Sequence, residues 1–138
     1  MAKNIFIVFG HHNIKTSFNA AVRDAFIDEA QKCGHNIDLI NLHEENQLNF
    51  FDGSSPNDQV LDYRKRLEKS DIMFLISPCY NLRASAILEN WIDLVLAPKW
   101  FFAFKRVYGN WGYPVAGVMK NKLAIMSMSY GGNIFSIQ

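Results

Sequence analysis

Two rhythms of apolar residues alternate along this chain. Ile5 to Phe9 form an unbroken apolar run rich in branched and aromatic side chains, as a strand buried on both faces requires. A polar turn follows. Phe18, Val22, Ala25, Phe26 and Ala30 then recur at helical spacing, predicting a helix over 17–32 with these residues on its apolar stripe. Thr16 or Ser17 stands where the N-cap belongs. Gly34 is a natural stop, and HNIDLINL at 35–42 reads as a second strand. Pro56 and Asn57 close a polar stretch and open a helix over 58–69. DIMFLISP at 71–78 is a third strand, apolar almost throughout and therefore central. Residues 84–96 predict a third helix carrying Ile87, Leu88, Trp91, Ile92 and Val95 on one face. A long aromatic, glycine-containing loop follows, and KLAIMSMS at 122–129 is a fourth strand.

This order of strand, helix, strand, helix argues an α/β fold: a parallel sheet covered on both faces, joined by right-handed crossovers. In such sheets ligands sit beyond the carboxyl ends of the strands, where the strand order reverses. Three segments project from those ends, at 10–17, 77–83 and 129–134, and the candidate chemistry lies in them.

The first carries no carboxylate between His11 and Arg23, so the predicted helix start has no acid to meet its amides and positive dipole end. A bound anion, phosphate above all, fits there. Taken alone, His11 reads equally as a turn residue or a phosphate neighbour. In the second segment, Pro78 cannot donate a ladder hydrogen bond and ends its strand, so Cys79, Tyr80, Asn81 and Leu82 face the crevice. Trp91 lies on its helix's apolar stripe and reads as a core anchor, with Asp93 on the polar side. No metal site is expected, since His12, His35 and His43 lack ligand spacing.

Composition narrows the partners. At 138 residues the chain is expected to be one domain with a substantial core. Fourteen basic against thirteen acidic residues leave no electrostatic case for nucleic acid. The basic stretch YRKRLEK at 63–69 alternates with acids and apolar residues, as a solvated helix face does. Cys33 and Cys79 form no CxxC pair, which fits a reducing compartment. With no leader pattern and no long apolar run, a cytoplasmic protein without a transmembrane segment is expected, leaving room for a peripheral membrane partner.

Longer motifs carry a resemblance. GHHN at 10–13, TSFNAA at 16–21, Pro78 with Tyr80, AILENWIDLVL at 86–96, FAF at 102–104, GVMKNK at 117–122 and YGG at 130–132 occur in the order and spacing of one family. The chain resembles the flavodoxin-like NAD(P)H:quinone oxidoreductases, which include quinone reductases, modulators of drug activity and ancillary subunits of potassium-efflux systems. That resemblance spans nearly the whole chain. It implies a three-layer sandwich with sheet order 2-1-3-4, a bound flavin (FAD or FMN), NAD(P)H as co-substrate, a quinone-like acceptor and a homodimer. His11, Thr16, Ser17, Phe18 and Asn19 match the loop holding the flavin phosphates. Pro78, Cys79, Tyr80, Asn81 and Leu82 match the loop along the isoalloxazine ring. Ser129, Tyr130, Gly131 and Gly132 match the turn at the ring's far edge. The aromatic stretch 100–113 corresponds to a region near a dimer contact and the partner's active site.

The sequence also departs from that pattern. After Gly132 it reads NIFSIQ, without the fifth strand and last helix the family carries, so strand 122–129 is expected to be an exposed edge. Phe135 stands where several relatives place a tyrosine that assists hydride transfer, and a downstream histidine is absent. Asn81 replaces a common tryptophan, and Arg83 and Ser85 replace small and proline residues. No catalytic residue is assigned. Two functions follow: a flavin-dependent NAD(P)H:quinone oxidoreductase, or a non-catalytic flavin- or nucleotide-binding module regulating a partner such as a transporter.

Overall fold

The computed structural model describes residues 1–46, 48–50, 52–98, 100–117 and 119–131. Its elements are β1 (Asn4–Phe9), α1 (Phe18–Lys32), β2 (Asn36–Asn41), α2 (Asp58–Lys69), β3 (Ile72–Pro78), α3 (Ala86–Val95), β4 (Phe102–Tyr108), β5 (Trp111–Ala116) and β6 (Leu123–Ser129). Four of the strands form one parallel sheet in the order β2-β1-β3-β6. Since β6 is the fourth strand read from the sequence, this is the expected 2-1-3-4 order.

Alternation along β1 builds two cores. Phe6 and Val8 face α2 and α3, packing with Leu75, Val60, Tyr63, Leu67, Leu88, Trp91 and Val95. Ile5, Ile7 and Phe9 face α1, packing with Phe74, Ile76, Ala20 and Ala30. Ile5 is 2% exposed and the next four residues are fully buried. Each such side chain stabilises the fold by about 1.5–3 kcal/mol relative to exposure. The sheet is thus covered by one helix on one face and two on the other.

Helix ends follow their local chemistry. The side chain of Ser17 accepts from the Ala20 amide and caps α1, and Asn57 does the same for α2 through Val60. Gly34, at φ +77°, stops α1 while its amide and that of His35 satisfy Gln31 and Ala30.

Two expectations need correction. The inward stripe of α1 is Asn19, Ala20, Arg23 and Ala30, with Phe26 and Ile27 half-buried; Phe18 is 72% exposed and Ala25 is exposed. Polar residues with partners occupy inward positions that hydrophobicity alone assigns to Phe18 and Ala25. The stretch read as an aromatic loop instead contains an antiparallel hairpin, β4–β5, closed by Gly109 and Asn110. Gly109, at φ +54°, supplies the positive φ that a two-residue hairpin turn needs. Gly112, Pro114 and Gly117 make the stretch look like loop, although aromatic runs flank a Gly-Asn turn.

Among the described residues β6 ends the sheet order, and Leu123, Met126 and Met128 are exposed along it.

Candidate functional site at the carboxyl ends of the strands

The first segment is shaped by Asn13. Its carbonyl side-chain oxygen accepts from the amides of Lys15 and Thr16 (3.2 and 2.9 Å), and its backbone carbonyl accepts from the Ser17 hydroxyl at 2.7 Å. This Asx turn brings the chain round into α1. The Asn13 amide donates to His11 Nδ1 at 2.9 Å, which fixes that nitrogen as the unprotonated one. α1 has no acid in its first turn, in keeping with an anion at its start. Among the five residues assigned to this segment, Asn19 is buried, His11 and Ser17 are half-buried, and Thr16 and Phe18 are exposed.

Arg23 ties the segment down. It is only 8% exposed, and its guanidinium donates to the Ile14 carbonyl (2.9 Å), Asn41 Oδ1 (3.1 Å) and Asp24 Oδ1 (2.7 Å) while lying 4.6 Å from the Phe9 ring centroid. One buried cation thereby joins the turn to β1 and β2. The sequence pattern missed both organisers; the Asx signature HHN followed by Thr16, and a cation at an inward helical position, are the signals for them.

Three histidines cluster beside this turn. The His11 and His12 rings stack with centroids 4.5 Å apart, and His43 meets His12 edge-on at 6.3 Å. Burial, and then the neighbouring imidazoles, hold His11 and His43 below the ordinary histidine pKa. Among the described residues no group of histidines, cysteines and carboxylates has metal-binding geometry.

The second segment leaves β3 at Pro78. The Cys79 amide donates to the Ser129 carbonyl at 2.8 Å, and Tyr80 and Arg83 exchange backbone hydrogen bonds of 2.8 and 3.0 Å across Asn81 and Leu82. Both intervening residues are left-handed, at φ 50° and 63°. Asn tolerates this conformation; for Leu it costs about 1–2 kcal/mol. The turn leaves Leu82 76% exposed. Beneath it, Ser85 Oγ donates to the Gly10 carbonyl at 2.6 Å and the Ser85 amide donates to Ser77 Oγ at 2.9 Å, locking the first two segments together.

The third segment follows β6. Ser129 pairs with Pro78 in the parallel ladder, and its hydroxyl accepts from the buried Asn19 amide at 2.6 Å. All three segments therefore meet. His11, Pro78, Cys79, Tyr80, Asn81, Ser129, Tyr130 and Gly131 line one open cleft of about 360 Å³. Leu82 lies off the cleft, and Thr16, Ser17, Phe18 and Asn19 stand behind it at the start of α1. Gly132, the last residue assigned to the site, lies outside the described residues, as does Phe135. A second cavity of about 410 Å³ opens between His43, Leu48, Tyr63 and Ile87, on the α2–α3 side. Burial pushes the Tyr63 phenol there up to about 12. None of the three segments reaches that cavity.

A family model described as a flavodoxin-like fold matches residues 3–138. The chain is a member of that family. In this flavodoxin-like chain the strand order reverses between β1 and β3, where the strand-end loops meet. It is similar to ribosyldihydronicotinamide dehydrogenase (quinone) from Mus musculus, with 24% identity over 155 residues that cover 94% of this chain and 64% of the relative. It is likewise similar to an FMN-dependent NADH:quinone oxidoreductase from Coprothermobacter proteolyticus, 26% identical over 145 residues, covering 96% of this chain and 69% of the relative. Among solved structures, the NAD(P)H:quinone oxidoreductase from Methanothermobacter marburgensis superposes with a TM-score of 0.75 at 18% identity, covering 99% of this chain and 71% of that one. The flavodoxin-like chain spans about 64% of the length of the mouse, rat and human ribosyldihydronicotinamide dehydrogenases it matches.

Proposed function

We propose that this flavodoxin-like chain binds a flavin in the strand-end cleft and takes part in NAD(P)H-dependent reduction of a quinone-like acceptor. One observation carries the reading: His11, the 78–81 segment and the 129–131 segment, distant in sequence, line a single cleft beside a helix start that lacks acids. The names of the relatives, an NADH:quinone oxidoreductase that depends on FMN among them, support the same chemistry.

The residues present suit such a group. The start of α1, set by the Asx turn at Asn13 and capped by Ser17, offers its positive dipole end, with no acid in the first turn, to a flavin phosphate. Tyr80 and Tyr130, each about half exposed, offer aromatic faces at the cleft, and Cys79 and Gly131 line it beside them. When bound, a flavin supplies reversible hydride acceptance and donation, while the protein supplies position and electrostatics. The chain's own part is to fix the phosphate end through Asn13 and Arg23 and to fix the ring-side segments against it through Asn19 and Ser129. No acid or base of this chain is given a role in proton transfer.

The visible absorption spectrum of the purified protein, recorded before and after adding FMN and FAD, tests binding. Anaerobic addition of NADH or NADPH then tests transfer. Flavin bands that bleach with the nicotinamide and return with a quinone support the reading. Bands that persist unbleached reduce the protein to a flavin-binding module, and no bands at all reject the site.

A further inference from the structure

The cavity of about 410 Å³ on the α2–α3 side has no part in the flavin site as described so far. Leu48, Phe50, Tyr63 and Ile87 give it apolar walls, two of them aromatic. Cavities of about 300–1,000 Å³ with such walls and a few placed polar groups hold small organic ligands. The polar groups here are partly committed. The Tyr63 hydroxyl donates to Glu45 at 3.1 Å and accepts from Gln59 at 2.8 Å. The Asn90 amide nitrogen donates to the Leu48 and Asn49 carbonyls, at 3.4 Å each, which leaves its side-chain oxygen to accept. Glu45 adds a second acceptor, and its charge keeps an anion out of the cavity itself. A neutral planar heterocycle carrying an amino group matches these walls: its faces meet the aromatic rings and its amino group donates to the acceptors.

The histidines show where such a base would come from. His11 lines the strand-end cleft and His43 lines the cavity. His12 stands between them, its ring centroid 4.5 Å from that of His11 and 6.3 Å from that of His43. The Asn13 amide occupies Nδ1 of His11, so Nε2 carries the proton and is a donor. His12 is exposed and has a ring donor in either protonation state. GHHNIKTSF at 10–18 holds no carboxylate. This row of donors starts in the β1–α1 turn, at the phosphate end of the flavin site, and ends at the cavity. A second phosphate joined to the first follows it naturally. A nicotinamide coenzyme, which must meet the flavin at its ring, has no need of this path.

We propose that the chain holds its flavin as the adenine dinucleotide, with the second phosphate on His11 and His12 and the adenine in the cavity against Phe50, Tyr63 and Asn90. This rests on the flavin reading above and adds which flavin is bound.

Titration of the full chain with FMN and with FAD, read by quenching of flavin fluorescence, tests it. FAD binds about tenfold more tightly than FMN, or better still. Ala86→Trp fills the cavity from an exposed position at the start of α3 and abolishes that preference. Phe50→Ser, at a position 78% exposed, lowers FAD affinity. The loss is about fivefold or more, the worth of one base stacked on an aromatic ring. Neither variant moves FMN affinity by more than about twofold, a small fraction of the tenfold step. Equal affinities for the two flavins in the unmodified chain overturn the proposal and leave the flavin reading standing. So does a preference for FAD that both variants keep, because the adenosine then lies elsewhere. Variants that leave both flavins alone but raise the KM for NADH assign the cavity to the coenzyme, and overturn it too. A dimer in sedimentation that Ala86→Trp dissociates, with FAD and FMN still alike, gives the cavity to a second copy and overturns it. Binding of neither flavin rejects the strand-end site and this proposal together.

Discussion

The Asn19 side-chain amide donates to the Ser129 hydroxyl across 2.6 Å, joining the first turn of α1 to the end of β6, 110 positions later in the chain. Asn19 is 2% exposed, so the bond is made away from water, and it ties the start of α1 to the strand-end segment after β6. Asn19→Ala removes both donor and packing and should cost about 1–3 kcal/mol in urea unfolding, with a larger fractional loss of flavin affinity than Ser129→Ala produces. The double variant should show a coupling of about 1 kcal/mol, since the two residues share one bond. Strict additivity would mean that the bond joins nothing energetically.

Gly10 is where the first two segments touch. A Cβ built on it lies 2.9 Å from Ser85 Oγ and 3.0 Å from Leu88 Cβ, and Ser85 donates to the Gly10 carbonyl. Gly10→Ala should therefore destabilise by about 1–3 kcal/mol through overpacking. Ser85→Ala in the same background removes the closer clash and should recover part of that loss. Thermal melts of the three variants decide it: a neutral Gly10→Ala removes the claim that this contact is tight.

How far the sequence reaches is clear from individual residues. Ile5 to Phe9 are apolar because both faces of β1 are covered, so period and burial agree and the strand reads directly. Pro78 and Ser129 read as strand ends and stand side by side in the ladder. Arg23 and Asn19 defeat the pattern because their burial depends on partners at Asn41, Ile14 and Ser129, which local hydrophobicity does not encode. The β4–β5 hairpin was hidden by glycines and a proline that serve turn and strand alike. Its lack of burial removes the alternation on which strand reading rests.

Leu82 holds a left-handed conformation with its side chain 76% exposed, so the strain is offset by little packing. Leu82→Gly should raise stability by about 0.5–1.5 kcal/mol, the relief of a left-handed leucine less the added freedom of the unfolded glycine. Because Leu82 lies off the cleft, flavin affinity should change by less than about twofold, well below the 1.4 kcal/mol that a tenfold change represents. Urea unfolding and flavin titration on one preparation separate the two quantities, and a destabilised Leu82→Gly would show that the side chain packs in solution.

The histidine cluster gives the flavin-free protein an acid-sensitive start to α1. Burial and the imidazole of His12 hold His11 and His43 below their unfolded value of 6.5, so the fold favours their neutral forms. Their contribution is complete above pH 6.5 and is lost as pH falls from there through the lowered folded values. Asp71, whose carboxyl is held below the usual range chiefly by the Asn4 amide, is lost only at still lower pH and stays separable. A phosphate at the turn offsets the preference at His11, because an anion favours the imidazolium, although protonation at Nδ1 gives up the bond from the Asn13 amide. Flavin mononucleotide should therefore bind more tightly as pH drops from about 7 to about 5.5, and should flatten the acid-side fall in melting temperature. Melting curves between about pH 5 and pH 8, with and without the nucleotide, read both effects. His11→Gln should keep the fold and abolish the pH dependence of binding; an unchanged dependence in that variant would place the titrating group elsewhere.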